Sequence, residues 1–350
     1  MKILELNFER GWRGGERQTI YNMRGFRDAG QEVALICRKN YPLEKKALEE
    51  GCRVFAYNNV FGVISYLISN ARQFDLVHAQ ASHILTYCIV TKPFHRKKII
   101  FTRRVDFIPK GKLTKFKYRT TNKLIAISTA IKDIISEFSG RNDVEIISDI
   151  AVPKKLDKER ATAELRRLGI ESTKHIIGTT AAFAPHKDPL TMVEAIRKLA
   201  SLRNDFVFLH FGSGELEAEV KRKIEEYNLQ SHYKMMGFYE NVEDFFSVLQ
   251  VFVMSSQEEG LGSSILDAFL YKVPVVSTDA GGIKDIVTEE RGILCKVKDF
   301  NMLAKGISDV LDKRNKPEII SNAFEYVSKY HTNEYITRQY LEVFKTMIGK

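Results

Sequence analysis

Along this chain, short apolar runs alternate with longer stretches in which apolar residues return at helical spacing. In the first half, residues 2–6, 32–37, 53–57, 75–79, 98–102, 123–127 and 144–147 read as short buried strands. Helices are predicted over about 16–29, ended by Gly30, over 42–50, and from the Ser128 cap to about 138. Residues 148–158, with Pro153 and several charges, show no apolar periodicity and read as a linker. The pattern then starts over. Strands are expected at 175–180, 206–211, 234–237, 250–254, 273–277 and 292–295, and helices at 158–168, 190–202, 264–271, 302–311, 317–330 and 333–348. Strand-helix-strand repetition implies parallel sheets with helices on both faces, an α/β architecture.

Length agrees, since 350 residues exceed one ordinary core and call for two domains. The expected limits are 1–152, 153–331 and a terminal helix, 332–350. Apolar residues at 44% and charged residues at 28% describe a globular protein. Glu5, Glu9 and Arg10 interrupt the first residues where an export signal needs an apolar run, and no stretch of about 20 apolar residues could span a bilayer. A cytoplasmic location is expected. Cys37, Cys52, Cys88 and Cys295 are scattered without the spacing of a zinc or redox site, which leaves them to core packing.

The densest chemistry lies in residues 255–282, SSQEEGLGSSILDAFLYKVPVVSTDAGG. Two carboxylates, Glu259 and Asp267, are eight positions apart across a glycine-rich turn that leads into a helix. Ser263 or Ser264 is expected to cap that helix, leaving its first N–H groups as an anion site that suits a phosphate. Carboxylates on either side accept hydrogen bonds from hydroxyls. A nucleotide diphosphate sugar supplies both groups.

Glu259-Gly260-Leu261-Gly262, then Leu266-Asp267-Ala268, Pro274-Val275-Val276 and Gly281-Gly282 resemble the signature of the retaining GT-B glycosyltransferases of the large family-four type. That signature has two Glu separated by seven residues; Asp267 is one methylene shorter than the second. The resemblance implies two Rossmann-like domains facing across a cleft, the first for the acceptor and the second for the donor. It makes Glu259 the sugar contact, Asp267 the ribose contact, and Gly260, Leu261, Gly262, Ser263, Ser264 and Ile265 the loop and helix start that hold the phosphates. Gly14, Gly15 and Glu16 match the family's G-G-x-E loop, which faces donor phosphates and acceptor. Lys187 stands where the family neutralises the diphosphate with a Lys, whereas Ala182 and Phe183 occupy the neighbourhood of its Arg. Gly212 and Gly237, at the ends of their strands, are placed in the donor site, and the loop 238–241 near the base. Family members set a His near the reacting centre; His78 is the candidate, delivered to a sheet edge by its strand, with His83 beside the acceptor. After strand 98–102 the chain has Arg103 and Arg104, a pair suited to an anionic acceptor. The expected catalytic set is therefore Glu259, Lys187, His78 and Arg103. No D-x-D occurs, so no metal and no cofactor beyond the donor is implied.

The formal charge of +10 is concentrated: from Lys92 to Lys123 there are twelve Lys or Arg and one acid, Asp106. Such a surplus attracts anionic membrane surfaces, and the expected partners are a nucleotide sugar, a glycan or glycolipid acceptor, and the inner face of the cytoplasmic membrane. Two other readings compete. A nucleotide-sugar 2-epimerase of the same fold would turn over the donor without an acceptor. A basic nucleic-acid-binding module would use Phe94, Phe101, Phe107, Phe116 and Tyr118 among the cations, but their spacing is more simply that of core residues, and no nucleic acid is expected.

Overall fold

The computed structural model describes residues 1–313 and 317–349; residues 314–316 of the expected second domain and Lys350 of the terminal one lie outside them. Two compact units result, one formed by Met1–Val152 with the stretch from Tyr330 onward, the other by Pro153–Lys329.

The first unit holds seven strands: β1 Lys2–Leu6, β2 Glu32–Arg38, β3 Arg53–Tyr57, β4 Leu76–Ala79, β5 Lys98–Arg103, β6 Lys123–Ala126 and β7 Glu145–Ile146. They pair in parallel in the order β3-β2-β1-β4-β5-β6-β7. The second holds β8 His175–Thr180, β9 Phe206–Phe211, β10 Tyr233–Gly237, β11 Val251–Met254, β12 Val275–Thr278 and β13 Ile293–Cys295, in the order β10-β9-β8-β11-β12-β13 and again parallel. Each sheet is doubly wound, and strand order reverses between β1 and β4 and between β8 and β11. Covered on both faces, the central strands are near-continuous apolar runs, as in FVFLHF of β9, where every residue is buried.

The helix Asn333–Ile348 completes the first core. Tyr340 and Phe344 are fully buried, with ring centroids 5.9 and 5.4 Å from Phe26. Gly25 permits this approach, because a Cβ there would lie 1.9 Å from Thr337 Oγ1. The stretch read as a linker is partly anchored in the same unit: Gln18 exchanges two hydrogen bonds with the Ile150 backbone, at 2.7 and 2.8 Å. The four cysteines are buried thiols, and burial pushes those of Cys37, Cys88 and Cys295 up to about 12, which suits packing. The helices Val60–Asn70, Lys112–Thr120, Glu217–Glu226 and Ile283–Ile286 fall outside the sequence reading. No helix among the described residues is long and apolar enough to cross a membrane.

Candidate functional site

In open parallel sheets, ligands bind beyond the carboxyl ends of the strands where strand order reverses. In the second unit the loops at that point are 181–188, after β8, and 255–262, after β11. They are stitched together by their backbones. The amides of Gln257 and Glu258 donate to His186 O at 2.9 and 3.1 Å, and Ser255 Oγ donates to the carbonyls of Lys187 and Asp188 at 3.2 and 2.9 Å. From β12, Thr278 Oγ1 donates to Ser256 O at 2.6 Å. This framework pairs Lys187 Nζ with Glu259 Oε2, and Ser256 Oγ lies 3.4 Å from the same oxygen. The Gly282 amide donates to Glu259 O at 2.9 Å, which ties the Gly-Gly turn to the loop. Two residues far apart in sequence and both expected in the donor site are thus neighbours because their strands are.

The helix after this loop is Ser263–Leu270, and its start corrects the expected serine cap. Gly262, at φ 88°, is the N-cap, and no side chain caps the helix. The Ile265 amide donates to Gly262 O at 2.8 Å. With the Ile265 amide engaged, the anion site expected at this turn is narrowed to the amides of Ser263 and Ser264. Gly260 and Leu261 are buried, and Asp267 is buried one turn into the helix.

Phe183 explains the departure in the preceding loop. Its ring is fully buried and stacked on His210, centroids 4.0 Å apart, so this position packs the core and supplies no cation. His210 in turn supports the loop: Nε2 lies 3.0 Å from Ala181 O and must donate, so Nδ1, 2.6 Å from the Tyr233 hydroxyl, accepts. Burial pulls the imidazole down to about 4. Gly212 donates its N–H to Gly237 O at 2.8 Å. A Cβ on Gly212, whose φ is 148°, would lie 2.0 Å from Ala181 O. Both glycines therefore shape the loop that carries Lys187. The sequence reading missed Ser255, Ser256, His186 and Thr278, whose only signal is a run of small polar residues beyond buried strands.

In the first unit most candidates are engaged in internal contacts. His78 does not reach a sheet edge. It is fully buried, with Nδ1 2.7 Å from Glu5 Oε1 and Nε2 2.8 Å from Thr102 Oγ1, and its ring beside Tyr340 and Phe344. Arg103 is also buried and directs its donors at Val105 O, the Tyr118 hydroxyl and Phe107 O. Arg104 pairs with Asp149. Glu16 closes a capping box: the Arg13 amide donates to Oε2 at 2.9 Å and Asn7 Nδ2 to Oε1 at 3.4 Å. Burial raises that carboxyl above its ordinary value, against these bonds. Gly14 and Gly15 form the first turn of the helix Gly14–Asp28, which starts earlier than expected. His83 keeps an exposed side chain, with Nδ1 3.2 Å from Glu9 Oε1 across the reversal between β1 and β4.

Two doubly wound parallel units in succession define the GT-B fold. The chain matches the crystal structure of the Anabaena protein HepE in complex with UDP and glucose, with a TM-score of 0.86 and 18% identity, over 99% of this chain and 100% of that one. Residues 161–325, within the second unit, match the family model described as "Glycosyl transferases group 1". Two Rhizobium meliloti (strain 1021) relatives agree. The lipopolysaccharide core biosynthesis glycosyltransferase LpsE is 21% identical over 65% of this chain and 65% of its own length. The lipopolysaccharide core biosynthesis mannosyltransferase LpsB is 24% identical over 53% of this chain and 56% of its own length. The matched stretch spans less than two thirds of either relative.

Proposed function

We propose that the protein transfers a sugar from a nucleotide diphosphate sugar, with retention at the anomeric carbon, to a glycan or glycolipid acceptor of the cell envelope. The observation that carries this is the Lys187–Glu259 pair at the reversal of the second sheet, next to the glycine-started helix of Ser263 and Ser264. A diphosphate arriving there gives Lys187 a doubly charged partner and releases Glu259 to accept sugar hydroxyls. Charge growing on the leaving phosphate meets the Lys187 ammonium and the two amides, all in place beforehand. Asp267 is assigned to the ribose and the loop after β10 to the base. With Phe183 in the core, Lys187 carries more of the diphosphate charge than where an Arg assists.

UDP is the first base to test, since the structural neighbour was crystallised with UDP and glucose, and the lipopolysaccharide core relatives favour a lipid-linked acceptor. The reading sets the reaction in the cytoplasm, with the basic stretch drawing the protein to the inner membrane face. Glu259 and Lys187 are its catalytic pair, His78 and Arg103 keep structural roles, and Glu16, His83 and Arg104 are the remaining acceptor-side groups. The test is Glu259→Gln, assayed by calorimetry with UDP and by product formation from a panel of UDP- and GDP-sugars. UDP binding should persist while transfer falls roughly a hundredfold to a thousandfold. Transfer at the wild-type rate would overturn the assignment, and turnover of donor without any acceptor would favour the epimerase reading.

A further inference from the structure

The basic stretch divides into two populations. Lys92, Lys117 and Arg119 donate to carbonyls of their own unit, Arg103 is buried, Arg104 pairs with Asp149, and Lys123 pairs with Glu145. The rest of the surface corrects the reading of the interleaved aromatics as core. Phe101 and Tyr118 are buried, but Phe107 is 56% exposed, Ile108 69%, Leu113 85% and Phe116 58%. Leu113 and Phe116 lie three positions apart on the helix Lys112–Thr120, on one face. The helix is buried at Lys117 and Tyr118.

Arg103 makes the loop and the helix one surface. Its guanidinium donates to Phe107 O and Val105 O on the loop and to the Tyr118 hydroxyl on the helix, and it lies 5.1 Å from the Phe107 ring centroid. An exposed apolar loop is normally free to fold over its own side chains. Here a buried cation clamps its backbone and leaves Phe107 and Ile108 outward. Lys110, Lys112 and Lys115 alternate with these side chains in the sequence. The loop leaves the carboxyl end of β5, the sheet edge that also carries Asn7, Glu9 and the turn at Gly14.

We propose that residues 105–116 form a monotopic anchor: Phe107, Ile108, Leu113 and Phe116 enter the acyl boundary of an anionic bilayer while Lys110, Lys112 and Lys115 lie among its headgroups. Apolar side chains ringed by lysines match a surface that is apolar within and anionic at its rim, which a protein partner matches only at a dedicated site. The anchor rests on the reading of a lipid-linked acceptor, and it sets the acceptor-side sheet edge at headgroup depth. It adds what charge alone does not supply, an attachment that persists when salt screens the lysines.

The test uses the full chain and sedimentation with vesicles of phosphatidylcholine, with or without phosphatidylglycerol. Wild type should bind the anionic vesicles and retain part of that binding at high salt. Phe107→Ser with Ile108→Ser, and separately Leu113→Ser with Phe116→Ser, should each weaken binding by roughly tenfold or more, since burying one such side chain is worth about that factor. Replacing the three lysines with Gln should abolish the preference for anionic lipid. Leu113→Trp should be quenched by lipids brominated in their acyl chains. UDP binding should be unchanged in every variant, so failure of the anchor and failure of the donor-site reading are separately visible. Serine variants that bind vesicles like wild type would overturn the proposal. So would a wild-type dimer that the Leu113→Ser, Phe116→Ser variant converts to monomer without any vesicle binding in either form, because the patch would then belong to a second copy.

Discussion

Both units set an acid and a base on opposite sides of their strand-order reversal, Glu9 with His83 in the first and Glu259 with Lys187 in the second. The resemblance ends at burial. The first pair is exposed, at 48% and 40%, and the second largely covered, at 12% and 19%. Topology delivers both pairs to the same place, and in the second unit hydrogen bonds from the Gln257 and Glu258 amides and from Ser255 Oγ to main-chain carbonyls of the other loop hold the pair there. A doubly wound sheet therefore offers a site at its reversal by default, and the loop framework decides whether the site is held in place.

The sharpest way to break this contrast is through glycine. Gly212→Ala forces a Cβ to within 2.0 Å of Ala181 O, and urea unfolding should show a loss of more than about 4 kcal/mol or no folded protein. Gly15→Ala meets nothing nearer than Arg104 Cδ at 3.9 Å. It should change stability by less than about 1 kcal/mol, since Ala suits a helix better than Gly.

Acid should separate the units next. His210 is held at about 4 against an ordinary 6.5 by burial, so the unfolded chain binds its proton first. The stability this residue contributes is complete above pH 6.5 and disappears as the pH falls toward 4, a change on the order of 3 kcal/mol. Melting temperatures over that range should fall in wild type and fall less in His210→Gln, which can still donate to Ala181 O.

The smallest effect expected is on affinity. Lys187→Ala should weaken UDP binding by roughly 1.5 to 3 kcal/mol, the worth of a hydrogen bond to a charged group. His83→Ala should leave it within about 0.5 kcal/mol. Calorimetry on both variants checks the contrast, and equal losses would erase it.

The sheets were legible because buried parallel strands are apolar runs, and the loop from Glu259 to Asp267 because glycines and acids of fixed spacing have few other uses. The stitching was not legible, since Ser255 and Ser256 act through main-chain partners that pattern cannot name. His78 and Arg103 misled for a related reason: a polar residue at the end of a strand looks the same in sequence whether it faces a ligand or a buried partner such as Glu5 or Tyr118. The helix Lys112–Thr120 escaped because it is buried at Lys117 and Tyr118 while Leu113 and Phe116 are exposed.

The helix Asn333–Ile348 bears on how the protein is made. The second unit is one continuous stretch, 153–329, whereas the first needs Tyr340 and Phe344 to fill the space over Phe26 and His78. During synthesis these residues leave the ribosome after the whole second unit has emerged. The continuous unit can therefore fold first, while the first unit waits with part of its core open and exposed to chaperones and proteases until its last helix arrives.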